Sequence, residues 1–221
     1  PHIRANFRAF CASTNALRAT LTDMNKQINR DAPKLVTPQA VTAFASLLKG
    51  VVFGAEPTPA NPGHLESLLI LDPSKPEVAA WLSELDAVCK SQVEQFTGEK
   101  FSDLVAAGKC AEVPYSLKSD LDENKKPTGN KRIKVRRTAG GTRPDGSAFT
   151  NSVPFCDSQG APIELTEELG NGSIVRAIIT PYVYASARVG VSLQLRSIQV
   201  IEARKRPSKG GGDFDMFGTV E

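Results

Sequence analysis

Apolar residues along this chain recur with two different periods, and the two periods mark out different elements. Between residues 78 and 96 the apolar positions are Val78, Trp81, Leu82, Leu85, Val88, Cys89, Val93 and Phe96, a helical stripe. Ser74-Lys75-Pro76-Glu77 precedes it. There Ser74 is expected to cap the helix, Pro76 to occupy the first turn and Glu77 to complete a capping box. Gly98 ends the pattern, and a shorter helix is expected over Glu99 to Ala107, closed by Gly108. Trp81 and Cys89 lie on the stripe and are assigned to the core.

Elsewhere the period is two. Strands are expected over Ala40 to Val52 and Leu65 to Leu71, divided by the proline-rich loop Glu56 to Gly63. From Lys131 to Arg137, Ile133 and Val135 alternate with Arg132, Lys134 and Arg136, which makes one face of that strand cationic. After the turn signal Asn171-Gly172, Val175, Ala177, Ile179 and Val183 share one face. Arg176, Ile178, Thr180, Tyr182 and Tyr184 share the other. Pro181 has no N–H to give, so this strand should be an edge or carry a bulge there. In the last strand Val189, Val191, Leu193 and Leu195 oppose Ser192, Gln194 and Arg196, and the apolar phase then flips to Ile198 and Val200. A β-bulge at Arg196 to Ser197 accounts for the flip and adds the curvature a small barrel needs. One strong helix among several curved strands gives a mainly β, α+β chain, an OB-like antiparallel barrel rather than a doubly wound parallel sheet.

Composition sets bounds. With 221 residues, 40% of them hydrophobic and 23% charged, the chain can bury a core without staples. Its longest apolar runs, such as Leu68 to Leu71, are far too short for a bilayer span. A cytoplasmic location is expected. Cys11, Cys89, Cys110 and Cys156 are widely separated, which argues against zinc or redox chemistry. The chain begins at Pro1 and its first Met is Met24, so residues 1–34 are assigned to an N-terminal extension, a leader or a disordered segment.

The net charge of +3 is unevenly spread: residues 64 to 123 carry 5 basic and 12 acidic side chains, whereas residues 170 to 209 carry 7 and 1. Lys125, Lys126, Lys131, Arg132, Lys134, Arg136, Arg137 and Arg143 follow one another with no acid between them. Such a run is either a solvated face or a surface for an anion. Beyond it, Gly210-Gly211-Gly212 is a flexible break, and the segment Asp213 to Glu221 mixes three carboxylates with Phe214 and Phe217.

Three segments together resemble the closing strands of bacteriophage single-stranded DNA-binding proteins. They are Gly170 to Ala177, Tyr182-Val183-Tyr184, and Gly190 to Val200. Ala43 to Leu47, the strand leading into the Pro76 helix and the polar stretch Lys118 to Gly129 fit the same order, so the resemblance spans roughly residues 35 to 202. It implies an OB-fold protein that coats single-stranded DNA in phage replication, recombination and repair, with an acidic C-terminal tail contacting replication partners. Here the tail holds only Asp213, Asp215 and Glu221 and ends in Val220-Glu221 rather than in an aromatic. The implied organisation is an extension over 1–34, a DNA-binding domain over 35–206 and a tail over 207–221.

Physical chemistry names contacts for the same ligand. Sequence-neutral binding of a single strand needs cations for phosphates and aromatic faces for bases. The candidate phosphate contacts are Lys131, Arg132, Lys134, Arg136, Arg137, Arg143, Arg176 and Arg188, and the candidate base platforms are Tyr182 and Tyr184. The tyrosines could equally form a second packed layer under the helix. Asp213, Phe214, Asp215 and Phe217 are the candidate tail contacts. No catalytic constellation, metal site or cofactor motif is apparent. His64 is expected in a solvent-exposed loop, and Gly140 to Gly146 lacks phosphate-loop spacing and reads as a hairpin turn between basic strands. Asp120, Asp122 and Glu123 lack EF-hand spacing. Three classes remain: a single-stranded DNA-binding module, a basic structural or partner-binding phage protein, and an enzyme whose site is dispersed in sequence. An enzyme is the least expected of them.

Overall fold

The computed structural model describes residues 26–52, 56–58 and 61–205. A short helical segment, α1 (residues 26–31), leads into β1 (Leu35–Val36), β2 (Ala40–Val51) and β3 (His64–Leu71). Helices α2 (Pro76–Thr97) and α3 (Phe101–Ala106) follow. The remaining strands are β4 (Leu117–Leu121), β5 (Pro127–Thr138), β6 (Gly140–Thr142), β7 (Ala148–Thr150), β8 (Phe155–Cys156), β9 (Pro162–Ile163), β10 (Ile174–Ala185) and β11 (Val189–Glu202).

Five of these strands close a ring. β10 pairs with β2, β2 with β3, β3 with β5, β5 with β11 and β11 again with β10. Every pairing is antiparallel except β5–β11, which is parallel, and this is an OB-like strand order. Closure demands curvature, and the bulge expected from the phase flip supplies part of it. Ile178 pairs with Ser197 and Ile179 with Leu195, which leaves Arg196 as the extra residue. A second irregularity interrupts β2 at Phe44, whose φ of 51° is unusual for a non-glycine residue. The Phe44 N–H donates to Asn171 Oδ1 at 2.8 Å, and the Glu168 carboxylate accepts from the N–H groups of Leu47, Leu48 and Lys49. These side chains take up backbone donors that the interrupted ladder leaves unpaired.

The alternation read in the sequence sorts the ring into an inside and an outside. Ile133, Val135, Val175, Ala177, Ile179, Val183, Leu193 and Leu195 are buried, together with Leu65, Leu69 and Leu71 of β3. α2 places Val78, Trp81, Leu85, Cys89 and Val93 in the same apolar cluster, so its stripe is core. At its start Pro76 occupies the first turn, but the capping box does not form. Ser74 Oγ instead donates to Asp72 Oδ1 at 2.6 Å in a local turn. Its end is the left-handed Gly98, as expected.

Pro181 lies in β10 where the strand faces β11 on one side only. β1 covers the other edge no further than Ile179, so the missing N–H costs no ladder bond there. Residues 26–34, placed with the extension by the sequence, are attached to this domain: Ala32 is buried, and Asn29 bonds to the backbone of Val183. Gly140 to Gly146 does form a hairpin, but its strands β6 and β7 are not basic, because Ala148, Phe149 and Thr150 make up the return strand. No described helix is long and apolar enough to cross a membrane.

Candidate nucleic-acid interface

The outer face of β11 carries small residues between two stronger neighbours. Tyr184 is opposite Gly190, Tyr182 opposite Ser192 and Thr180 opposite Gln194. On the far side β5 runs parallel, with Gln194 beside Arg136. The tyrosine strand and the cationic strand are thus separated by β11 alone, about 10 Å at two strand spacings. Small residues between them leave a trough. Two depressions of about 350 and 550 Å³ share Arg136, Tyr184 and Ser192 as walls and together form this groove.

Both tyrosines present themselves to it. Tyr182 is 45% exposed and Tyr184 42%, whereas Val183 between them is buried. The Tyr184 ring lies over Gly190: a methyl group built there would come within 2.6 Å of its hydroxyl oxygen. The hydroxyl end of the ring thus rests against the strand, and the side chain still keeps its exposure to the groove. The alternative of a second packed layer under the helix does not match this exposure.

Three of the cations around the trough are held by neutral or opposite partners. Arg136 donates through Nε to Ser192 Oγ at 2.9 Å, and Arg196 to Thr180 Oγ1 at 2.9 Å. Lys134 Nζ lies 2.7 Å from Glu66 Oε2, in an ion pair the sequence did not reveal because Glu66 belongs to β3. Lys26 and Arg30, from α1, line the wider depression.

His64 lines it too. It opens β3 half-buried rather than sitting in an exposed loop, and its Nδ1 is buried without a hydrogen-bond partner. Burial, and then the Arg136 guanidinium and the Lys134 ammonium, hold its pKa below the ordinary imidazole value, against the opposing pull of Glu66. At neutral pH the imidazole is uncharged. Burial also raises the hydroxyl pKa of Tyr115, in the wall of the narrower depression.

The sequence-derived candidates divide. Lys134, Arg136, Tyr182 and Tyr184 meet at the groove. Arg132 follows on the same outer face of β5, beside Ile70 and Lys118. Lys131 donates to Ser119 Oγ in the β4–β5 pair, and Arg137 to the Arg196 carbonyl at 3.3 Å. Both fall on the parity of Ile133 and Val135. Arg143 stands apart in the β6–β7 hairpin, its guanidinium carbon 5.3 Å from the centre of the Phe149 ring. Arg176 donates to the Thr37 carbonyl near the other end of β10, and Arg188 is exposed in the β10–β11 turn. Lys26, Arg30, His64 and Arg196 were not identified as site residues, and only Arg196 carried a usable signal, its place on the polar face of β11. Asp213, Phe214, Asp215 and Phe217 lie outside the described residues. Among the described residues no cluster of three or more His, Cys, Asp or Glu side chains is suited to a metal ion.

No protein-family profile matches the chain, and no curated protein matches it in sequence. Solved structures do match. The single-stranded DNA-binding protein gp2.5 of bacteriophage T7 is 19% identical, with a TM-score of 0.52 over 86% of this chain and 96% of that one. The single-stranded DNA-binding protein of bacteriophage Enc34, solved in complex with single-stranded DNA, is 14% identical, with a TM-score of 0.56 over 79% and 89%. A C-terminal truncation of the Enc34 protein gives 0.57 at 14% identity, over 78% and 88%. At these identities the likeness is one of fold, and it extends over nearly the whole length of those proteins: the chain has the fold of phage single-stranded DNA-binding proteins.

Proposed function

We propose that this chain binds single-stranded DNA without marked sequence preference and serves phage DNA replication, recombination and repair. One observation carries the reading: two half-exposed tyrosines and the cations of β5 face each other across a floor of small residues. Bases stack on Tyr182 and Tyr184, while Arg136 and Lys134, with Arg132 further along, take phosphates. Duplex DNA offers no unstacked base to such a platform, so single strands are preferred. Arg196 and His64 add donors at the wider end.

For the tail we propose a separate role, contact with replication proteins through Asp213, Phe214, Asp215 and Phe217. Three carboxylates near a basic groove would also weaken phosphate binding modestly at low salt. Deleting residues 213–221 should abolish capture of a replication polymerase and tighten DNA binding only at low salt.

The experiment for DNA binding is a fluorescence titration with matched single- and double-stranded oligonucleotides at two salt concentrations. The reading expects tighter single-strand binding, and log affinity falling by about 0.7 per phosphate neutralised for each unit of log salt. Equal affinity for both forms would remove it. No binding at all would leave a basic structural or partner-binding protein.

A further inference from the structure

Asn29 makes an unusual attachment. It is 8% exposed, its Oδ1 accepts from the Val183 N–H at 2.7 Å, and its Nδ2 donates to the Val183 carbonyl at 3.0 Å. One side-chain amide thus reproduces the paired bonds a neighbouring strand would make, on the edge of β10 that β1 leaves uncovered. The residue it grips lies between Tyr182 and Tyr184. Ala32 and Leu35, both buried, secure the segment that follows. Lys26 and Arg30 are four residues apart in α1 and share one helix face. Both line the groove with the two tyrosines.

We propose that Asn29 is a positioning residue for nucleic-acid binding, fixing α1 so that Lys26 and Arg30 form a second cationic wall for the strand stacked on Tyr182 and Tyr184. The inference rests on the single-stranded DNA reading above. Phosphates on both sides of a stacked base can then be neutralised, by β5 on one side and by α1 on the other. The segment before residue 35 thereby belongs to the binding site.

The test compares four full-length proteins: parent, Lys26→Gln/Arg30→Gln, Asn29→Ala, and the combination of all three. Each is titrated with an oligothymidylate across a salt series. Lys26 and Arg30 are exposed, and exposed polar contacts add little stability, so the double variant should melt within a few degrees of the parent. It should lower the log–log salt slope by about 1.4, at 0.7 per phosphate, and weaken binding on the order of 50-fold at about 50 mM salt. Asn29→Ala should lose a similar share of both affinity and slope. Its effect should not add to that of the double variant, because both remove the same contacts. A Lys75→Gln/Lys100→Gln protein, altered at exposed helix N-termini, should bind as the parent does.

The inference is overturned if Asn29→Ala leaves the slope unchanged, or if its loss adds fully to that of the double variant. Asn29 would then be a structural plug. It is overturned equally if the double variant keeps the parent's slope. A parent protein that binds no single-stranded DNA would sink the functional reading itself, so the two failures are distinct.

Discussion

Replacing Tyr184 by alanine separates stacking from folding in numbers. A fully buried aromatic side chain contributes about 1.5–3 kcal/mol. At 42% exposure Tyr184 contributes roughly half of that, about 0.8–1.5 kcal/mol. For a chain of this size such a loss lowers the melting temperature by about 2–6 °C. The protein stays folded at 25 °C. One stacked base is worth about 1–3 kcal/mol, so affinity for an oligothymidylate should fall about 5- to 150-fold. The salt slope should not move, since no phosphate contact is lost. Tyr184→Phe keeps the ring and should restore most of the affinity. The assay is fluorescence anisotropy over a salt series, paired with thermal denaturation of the same preparations. Unchanged affinity per folded molecule would refute the platform, as would a Tyr184→Phe protein as weak as Tyr184→Ala.

Other consequences follow from the geometry around Tyr184. Glu66→Gln frees Lys134 from its ion pair and removes an anion from the groove, so binding should tighten about 2- to 5-fold, the scale of a partly exposed pair, with a steeper salt slope. Weaker binding by the same protein in the same titration would mean that Glu66 orients Lys134 instead. Gly190→Ala places a methyl group 2.6 Å from the Tyr184 hydroxyl and must displace the ring; affinity should drop while the melting temperature changes by only a few degrees, and a protein of parental affinity would show that the ring position is immaterial. His64 in the free protein has a pKa below its unfolded value of 6.5, so the unfolded state binds the proton more readily and stability declines as pH falls through that region. A bound phosphate opposes that shift, so DNA binding takes up a proton at His64 and affinity should rise as pH falls from about 7.5 to 6. His64→Gln should flatten the profile, and an unchanged profile would place the proton elsewhere.

The strands were legible because their core faces are strictly alternating. Val175 to Val183 and Val189 to Leu195 declare both faces, and the phase flip after Leu195 locates the bulge at Arg196. The α2 stripe was legible for the same reason, at the helical period. Local hydrogen-bond competition was not: Ser74 had both a capping role and Asp72 within reach, and the turn won. The site itself depended on closure. Arg136 meets Ser192 only because β5 lies parallel to β11, and no spacing within either strand encodes that pairing. Glu66 and His64 reach the cations through β3, and Lys26 and Arg30 through one asparagine amide. The run of eight cations in sequence thus includes Arg143, which the β6–β7 hairpin carries away from the groove, and leaves out the charges that closure brings to it.

The groove can be tested by asking where a base lands. An oligothymidylate with 5-iodouracil in place of thymine, bound at low salt and irradiated, crosslinks to aromatic side chains in stacking contact. Tryptic digestion isolates residues 177–188, which contain Tyr182 and Tyr184, as one peptide. The crosslinks should concentrate in that peptide, map to the two tyrosines, and disappear in the Tyr182→Ala/Tyr184→Ala protein. Crosslinks confined to α2 and α3 or to the β6–β7 hairpin, with peptide 177–188 unmodified, would contradict the assignment of the single strand to this face.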